Sequence, residues 1–571
     1  MASATTIPTG HSLPVRLDKG YSANSVELSD WMHISCYVLP SFKVQQHHEL
    51  IQCGLFLRDN SIIMGAFNRG YAQTLQGFWL QAGITLCSAW AFTLFGYDQG
   101  VLGGLIALPN FLSANKIDPK DADLQGTIVA IYDIGCLTGC ILVGFVGQKL
   151  GRRLFIVIGG VLLCVGAGLQ AGARGSAYLI AGRVIGGIGM GFNTTMVPIW
   201  VAETSKAATR GALIATQLTI VILGLTIAYW FDFGMLRHHS GTSAVWRLPI
   251  AFQVVFILLT WATIFFLPES PRYLYANGHI EDADDIMARI YSVPVDSVEV
   301  ANHRSDVLAA LEAEKESEFG WKNFFYDTSP VRTTWRLWLG VLVQFFQQMD
   351  GNNIVSYYAT YLFINSLGMS QNQAAITSGG VTLLFLGGTC TTIWTVEHLG
   401  RRTVMLYGAI FCSIFMILFT IGLAVNTDSS NKLAVVSIFL FEFCFGASWC
   451  PLPWVVVPEI VPLNQRHVGT AMGVFTQWFI TFIVVKFGPM GIQDIGWRFY
   501  LLFCVFNVLA VVFVYFCVKE TKGLSLEEID VLFARKEYKH VLQARLRGDR
   551  EAEDKGSAEE HEVVQEKVEM K

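Results

Sequence analysis

The stretch GQKLGRRLFIVIGGVLLCVGAGLQAGA (147–173) sets a short basic break before an apolar run of twenty residues, and EHLGRRTVMLYGAIFCSIFMILFTIGLAV (397–425) does the same again. An apolar run of that length is enough to cross a bilayer as a helix. The Gly-Arg-Arg breaks, Gly151-Arg152-Arg153 and Gly400-Arg401-Arg402, lie 249 residues apart. Outward from them, Glu203 and Arg210 recur at the same internal spacing as Glu459 and Arg466, at an offset of 256. PESPR (268–272) finds its counterpart in KETKG (519–523), at an offset of 251. Three landmarks in one order with nearly one offset read as a duplication. Two duplicated halves in a membrane put a solute site at their interface, near the bilayer midplane.

Runs able to span lie at about 80–106, 125–147, 154–173, 177–202, 211–233, 247–267, 336–364, 375–396, 403–425, 433–457, 468–490 and 497–518. The first and seventh hold Gly and polar residues in mid-span, as expected of helices that line a cavity. The fold class predicted is an all-α membrane protein of twelve transmembrane helices in two six-helix pseudo-symmetric halves, residues 77–267 and 336–518. The basic residues that follow the even-numbered spans, among them Lys149, Arg152, Arg153, Arg401 and Arg402, fall on one face. The positive-inside tendency makes that face cytoplasmic. Residues 1–76 then form a cytoplasmic N-terminal tail, 268–335 a cytoplasmic loop with short helices, and 519–571 a cytoplasmic C-terminal tail. Residues 1–60 lack the pattern of a secretory signal, and Met64 offers an alternative start just before the membrane region.

Composition agrees. Of 571 residues 53% are hydrophobic and 15% charged, with a mean hydropathy of +0.45. Soluble domains carry about 25% charge. The net charge of −5 is small and scattered, which gives no footprint for nucleic acid. The 12 cysteines fall mostly singly in apolar runs and read as packing residues, with no metal-ligand spacing and no implied cofactor. No G-x-S-x-G, H-E-x-x-H or P-loop is found, so an enzyme or an ATP-driven pump is not expected. A monomer embedded in lipid, with a small solute and a proton as partners, fits best.

Asp98 sits inside an apolar span, where a carboxylate must be paired, protonated or wet, and so marks a functional site by default. Arg183 stands at the head of a Gly-rich run in the fourth span. Paired across the first half, the two would make a proton switch: the guanidinium favours the ionised acid when near, and separation favours the protonated one. Gln347, Gln348 and Asn353 lie in the seventh span, and amides that both donate and accept suit a ligand covered in hydroxyls. Asp350 and Asn352 add polarity beside them.

These landmarks resemble the sugar porter family of the major facilitator superfamily, from about residue 80 to 535, in FGYDQGVLGG (95–104), GRVIGGIGMG (182–191), the E-x₆-RG segment (203–211), PESPRYL (268–274), QQMDGNN (347–353), EHLGRR (397–402), PEIVPLNQRHVG (458–469) and KETKGLSLEEID (519–530). AYWFDFG (228–234) and WRLPIAFQ (246–253) are similar to fungal hexose and polyol carriers. The resemblance implies a secondary transporter at the plasma membrane, moving a monosaccharide by alternating access, with Asp98 and Arg183 coupling a proton. A facilitative sugar or polyol carrier, a carrier of another metabolite and a sensor on the same scaffold are the alternatives. It implies sugar contacts from Gln217, Gln347, Gln348 and Asn353, and stacking on Trp449. Tyr357 and Tyr358 resemble an external gate. Glu203, Arg210, Glu397, Arg401, Glu459 and Arg466 resemble charges that tie the halves together at the inner face. There are departures: Gly224 stands where a second glutamine is common and leaves room for a larger ligand, Thr481 replaces an asparagine, Cys450 a glycine and Gln148 an aspartate. Lys486 lies deep in the eleventh span, to snorkel or to pair with an acid such as Asp494.

Overall fold

The computed structural model describes residues 68–205, 210–239, 241–316, 325–327, 329–462 and 465–544. The N-terminal tail before residue 68, with Met64, and the C-terminal tail past 544 lie outside the described residues.

The first half is six long helices: α1 (Gly77–Leu105), α2 (Ala122–Leu150), α3 (Arg152–Ala171), α4 (Ser176–Glu203), α5 (Arg210–His239) and α6 (Ala244–Ile264). Three shorter helices follow, α7 (Pro271–Ala276), α8 (Ile280–Tyr291) and α9 (Val298–Glu316). The second half comprises α10 (Thr333–Gln348), α11 (Asn352–Leu367), α12 (Gln371–Leu399), α13 (Arg401–Val425), α14 (Asp428–Gly446), α15 (Leu452–Ile460), α16 (Arg466–Met490) and α17 (Phe499–Cys517), with α18 (Leu526–Phe533) beyond. Among the described residues ten stretches are long and apolar enough to cross a membrane, one of them Val468–Cys517, which holds two spans. The twelfth crossing is the seventh span, which is broken into α10 and α11. The twelve expected runs thus each find their helix or helix pair.

The two broken spans follow from local chemistry. Between α10 and α11 lies Met-Asp-Gly (349–351), and Gly351 has φ +104°. A side chain is strained there, so the helix ends and restarts. Between α14 and α15 the chain passes Pro451, and Pro453 follows in the first turn of α15; neither has the N–H that would carry the earlier helix on. A broken helix leaves carbonyl and N–H groups without helical partners. In a membrane such groups are tolerated where they line a site.

The duplication is visible in three dimensions. Gly151 ends α2 with φ +82° and Gly400 ends α12 with φ +88°. Glu269 accepts from the N–H groups of Arg152 and Arg153, and Glu520 from those of Arg401 and Arg402. Each carboxylate therefore caps the N-terminus of the following span, α3 or α13, where the helix dipole favours an anion. Glu269 lies in the loop after α6, where burial pushes its carboxyl up and the N–H groups of Ser270 and Arg153 and the Arg153 guanidinium act against that rise.

Candidate functional site

Where the broken seventh span faces the broken tenth, Gln347 donates to the freed carbonyls of Trp449 (2.8 Å) and Cys450 (2.9 Å). Its own oxygen accepts from Gln348 Nε2 at 3.1 Å. Gln348 Oε1 accepts in turn from Asn353 Nδ2 (2.8 Å), across the break, and from Thr481 Oγ1 (2.9 Å) of α16. The residues at 347, 348, 353 and 449 thus form one buried polar network, and Thr481 belongs to it. Trp449 is fixed by its Nε1, which donates to Met405 O of α13 at 3.0 Å. Gln217, on α5 of the other half, is also buried, and its Nε2 has no hydrogen-bond partner. The same holds for Gln344 Oε1, one turn before Gln348, and for Gln477 Oε1 and Trp478 Nε1 on α16. Buried amide atoms left open are expensive unless something polar meets them.

Asp98 and Arg183 meet as predicted: Arg183 Nη1 to Asp98 Oδ1 is 3.2 Å, with both side chains fully buried. A second Arg183 nitrogen donates to Val129 O of α2 at 3.2 Å, and the guanidinium lies 4.1 Å above the Tyr132 ring. Glycines allow this closeness. A Cβ on Gly187 would stand 2.4 Å from Tyr132 O and 2.9 Å from the Cα of Gly135, so α2 and α4 touch backbone to backbone.

The model of the sugar (and other) transporter family matches residues 84–533. The chain belongs to that family. Among its relatives are the MFS-type transporter oryC of Aspergillus oryzae, 34% identical over 80% of this chain and 86% of that one, and the sugar transporter STL1 of Saccharomyces cerevisiae, 34% identical over 81% and 82%. Among solved structures, the proton:xylose symporter XylE bound to 6-bromo-6-deoxy-D-glucose is similar at 27% identity, with a TM-score of 0.67 over 80% of this chain and 99% of that one. This transporter is therefore a multi-pass membrane protein of the major facilitator fold.

In this transporter Glu203, Arg401 and Glu459 find their ion-pair partners within their own halves, which differs from the expectation that they tie the halves together. Arg152 meets Glu203 at 2.9 Å, and Arg272 meets the same acid at 3.9 Å. In the second half Arg401 meets Glu459 at 3.0 Å. Ser270 and Thr521 donate to Glu203 and Glu459, completing the repeat. The acid of each pair sits at the end of its half's fourth span and the base at the start of its third, so the short reach is intramolecular to the half. Arg466 opens α16, and the side chains of Arg210 and Glu397 lie outside what the structure describes.

The halves meet on the opposite face. Lys486 Nζ reaches Asp123 Oδ1 at 2.6 Å and Thr127 Oγ1 at 2.5 Å, across from α16 to α2. Its partner is an acid of the other half and not Asp494, because α2 begins against the end of α16: a Cβ on Gly126 would stand 2.2 Å from Lys486 O. Trp230 donates to Gly379 O, and Tyr229 to Ser356 O, along the same contact. Both predicted gate tyrosines are buried and bonded across it or beside it. Tyr357 donates to Asp133 of α2 at 3.3 Å, and Tyr358 to Val485 O of α16 at 3.0 Å.

Gly224 corrects a further expectation. A Cβ there would stand 2.1 Å from Thr93 O, so the missing glutamine leaves no room and instead lets α1 and α5 touch. Asp133 is a functional candidate that sequence reasoning missed, although it satisfies the criterion that singles out Asp98, an acid in mid-span. Gln344 was legible too, one helical turn from Gln347 and Gln348 on the same helix.

Proposed function

We propose that this transporter carries a monosaccharide or polyol by alternating access, in symport with a proton. The observation that carries the reading is the buried amide network of Gln347, Gln348, Asn353 and Thr481, set at the broken spans, with the open amide of Gln217 buried in the other half. Amides and a hydroxyl gathered in one buried network, with open amide atoms beyond it, match a solute that offers donors and acceptors around its whole rim. The Trp449 ring, held by Met405 O, supplies an apolar face for sugar C–H groups. Tyr357 and Tyr358 act as the gate on the face opposite the basic one, which is the external face if basic residues mark the cytoplasm. The Glu203, Glu397 and Glu459 acids, with Arg210, Arg401 and Arg466, set the balance between states: Glu203 and the Arg401–Glu459 pair are held within their own halves in this state, and the set is available to re-pair in the other.

Coupling is assigned to Asp98 and Arg183. Two charges removed from water are retained at considerable expense. A pair whose separation would let the acid take up a proton gives that expense a use. The relatives' own names, a sugar transporter and a proton:xylose symporter, point the same way. Plasma-membrane residence and function as a monomer complete the reading.

The test is uptake of labelled D-glucose, D-xylose and glycerol into carrier-deficient yeast, with and without a protonophore. Accumulation that the protonophore collapses, and that Asp98→Asn abolishes while leaving exchange, supports symport. Equilibration unaffected by the protonophore identifies a facilitator, and uptake of none of the three refutes the solute assignment.

A further inference from the structure

Asp133 lies on α2, fully buried, and accepts one hydrogen bond, from Tyr357 of the opposite half at 3.3 Å. Its other oxygen, Oδ2, has no hydrogen-bond partner. Asp98 and Arg183 are equally buried next to it. Around Asp133 stand Asp98 from α1, Tyr132 and Cys136 from α2 itself, Arg183 from α4, and Tyr357 and Tyr358 from α11. From α16, the charged group next along α2 is Lys486, which is spent on Asp123 and Thr127 nearer the end of that helix.

We infer that Asp133 is a second acid of the coupling site, holding one proton in this state while Asp98 keeps the Arg183 guanidinium, and that Tyr357 ties its occupancy to the seventh span. The inference rests on the proton-coupled reading above and deepens it. The charge count makes the case. With both acids ionised, the cluster of one guanidinium and two carboxylates would carry an uncompensated negative charge away from water, which is costly by several kcal/mol. One proton removes it. Geometry decides where it resides: Asp98 is in direct contact with the guanidinium, whose remaining contacts go to Val129 O and the Tyr132 face, whereas Asp133 has a single phenol donor.

The arrangement has a mechanical consequence. Tyr357 belongs to α11, on the far side of the contact between halves, so rocking that separates α11 from α2 removes the donor and opens Asp133 to water. The proton can then leave or enter there, with Asp98 and Arg183 as the neighbouring counter-charge. Movement of the gate and exchange of the proton become a single event.

The test reads the protonated carboxylic acid directly. Purified full-length transporter in lipid nanodiscs is examined by infrared difference spectroscopy in the carbonyl stretch of protonated acids, for the unaltered chain and for Asp133→Asn, Asp98→Asn and Tyr357→Phe. Asp133→Asn is expected to remove one such band. Asp98→Asn is expected to remove the same band, because the remaining carboxylate then ionises against Arg183. Tyr357→Phe is expected to keep the band and raise its frequency, since the carbonyl loses its donor. A band unchanged in Asp133→Asn overturns the inference; if that variant does not fold, an unshifted band in Tyr357→Phe does so instead. Failure of the coupling reading looks different: uptake by the unaltered chain is then insensitive to protonophore, whatever the infrared bands show.

Discussion

Replacing Gly224 is the sharpest way to set the structure against the family pattern. If the site had room where relatives place a glutamine, Gly224→Gln would restore a sugar contact and Gly224→Ala would be silent. The structure says otherwise. A Cβ at 224 would stand 2.1 Å from Thr93 O, 2.9 Å from Thr93 C and 3.0 Å from Thr93 Cα, all of it backbone and unable to swing aside. The first contact is about 1.3 Å inside the 3.4 Å at which ordinary contact begins. Relief requires α1 and α5 to part, and they are held by a second close approach, since a Cβ on Gly96 would stand 1.7 Å from Val221 O. Overpacking of this kind costs about 1–3 kcal/mol.

Both variants are therefore expected to suffer alike, because the first carbon is already too many. Thermal unfolding of the purified protein should begin several degrees lower for Gly224→Ala and Gly224→Gln, and Gly224→Gln should gain no affinity for glucose or xylose. Parting α1 from α5 also moves the helix that carries Asp98, so accumulation should fall more than exchange. An alanine variant as stable as the unaltered protein, or a glutamine variant that binds more tightly, would refute the reasoning.

Other substitutions test the remaining contacts. Gln347→Ala breaks the bridge to the carbonyls of Trp449 and Cys450 and should weaken solute binding by about 1–3 kcal/mol, measured as the half-saturation of exchange, with unchanged surface abundance. Lys486→Ala should loosen the contact between α16 and α2; because the Asp123 side chain is 68% exposed, the effect is about 0.2–1 kcal/mol and is read as a lowered unfolding temperature at low salt that closes toward the unaltered protein's at high salt. Glu269→Gln should lower the unfolding temperature more than Glu520→Gln, since both cap a span but Glu269 is the more deeply buried.

Most of the fold is open to a reader of the sequence because membrane spans announce themselves locally: about 20 apolar residues and a basic break suffice. Asp98 and Arg183 can be paired from their positions along the chain, since each is a charge that hydrocarbon would not tolerate alone. The network at Gln347 is harder. That Gln348 accepts from both Asn353 and Thr481 depends on how α16 lies against α10, and the spacing along one helix says nothing of that. Gly224 illustrates the opposite error: an absent side chain reads as empty space, when the neighbouring backbone already fills it.

The halves, alike in their caps, diverge at their buried acids, and this bears on where coupling resides. In the first half Asp98 holds the Arg183 guanidinium and Asp133 lies within that charge's influence without touching it, so a proton and a fixed positive charge act on neighbouring carboxylates. In the second half the Asp350 carboxylate accepts from the Asn352 backbone N–H at 2.8 Å, and the Asn352 amide, turned to donate, meets Glu442. Amide donors give these acids hydrogen bonds but no counter-charge that could move with a helix. Only an acid whose counter-charge sits on a different helix changes its environment when helices shift, and that condition is met where α1, α2 and α4 converge. Sugar contact and proton contact are then divided between the halves, and alternating access, which moves one half against the other, is what joins them.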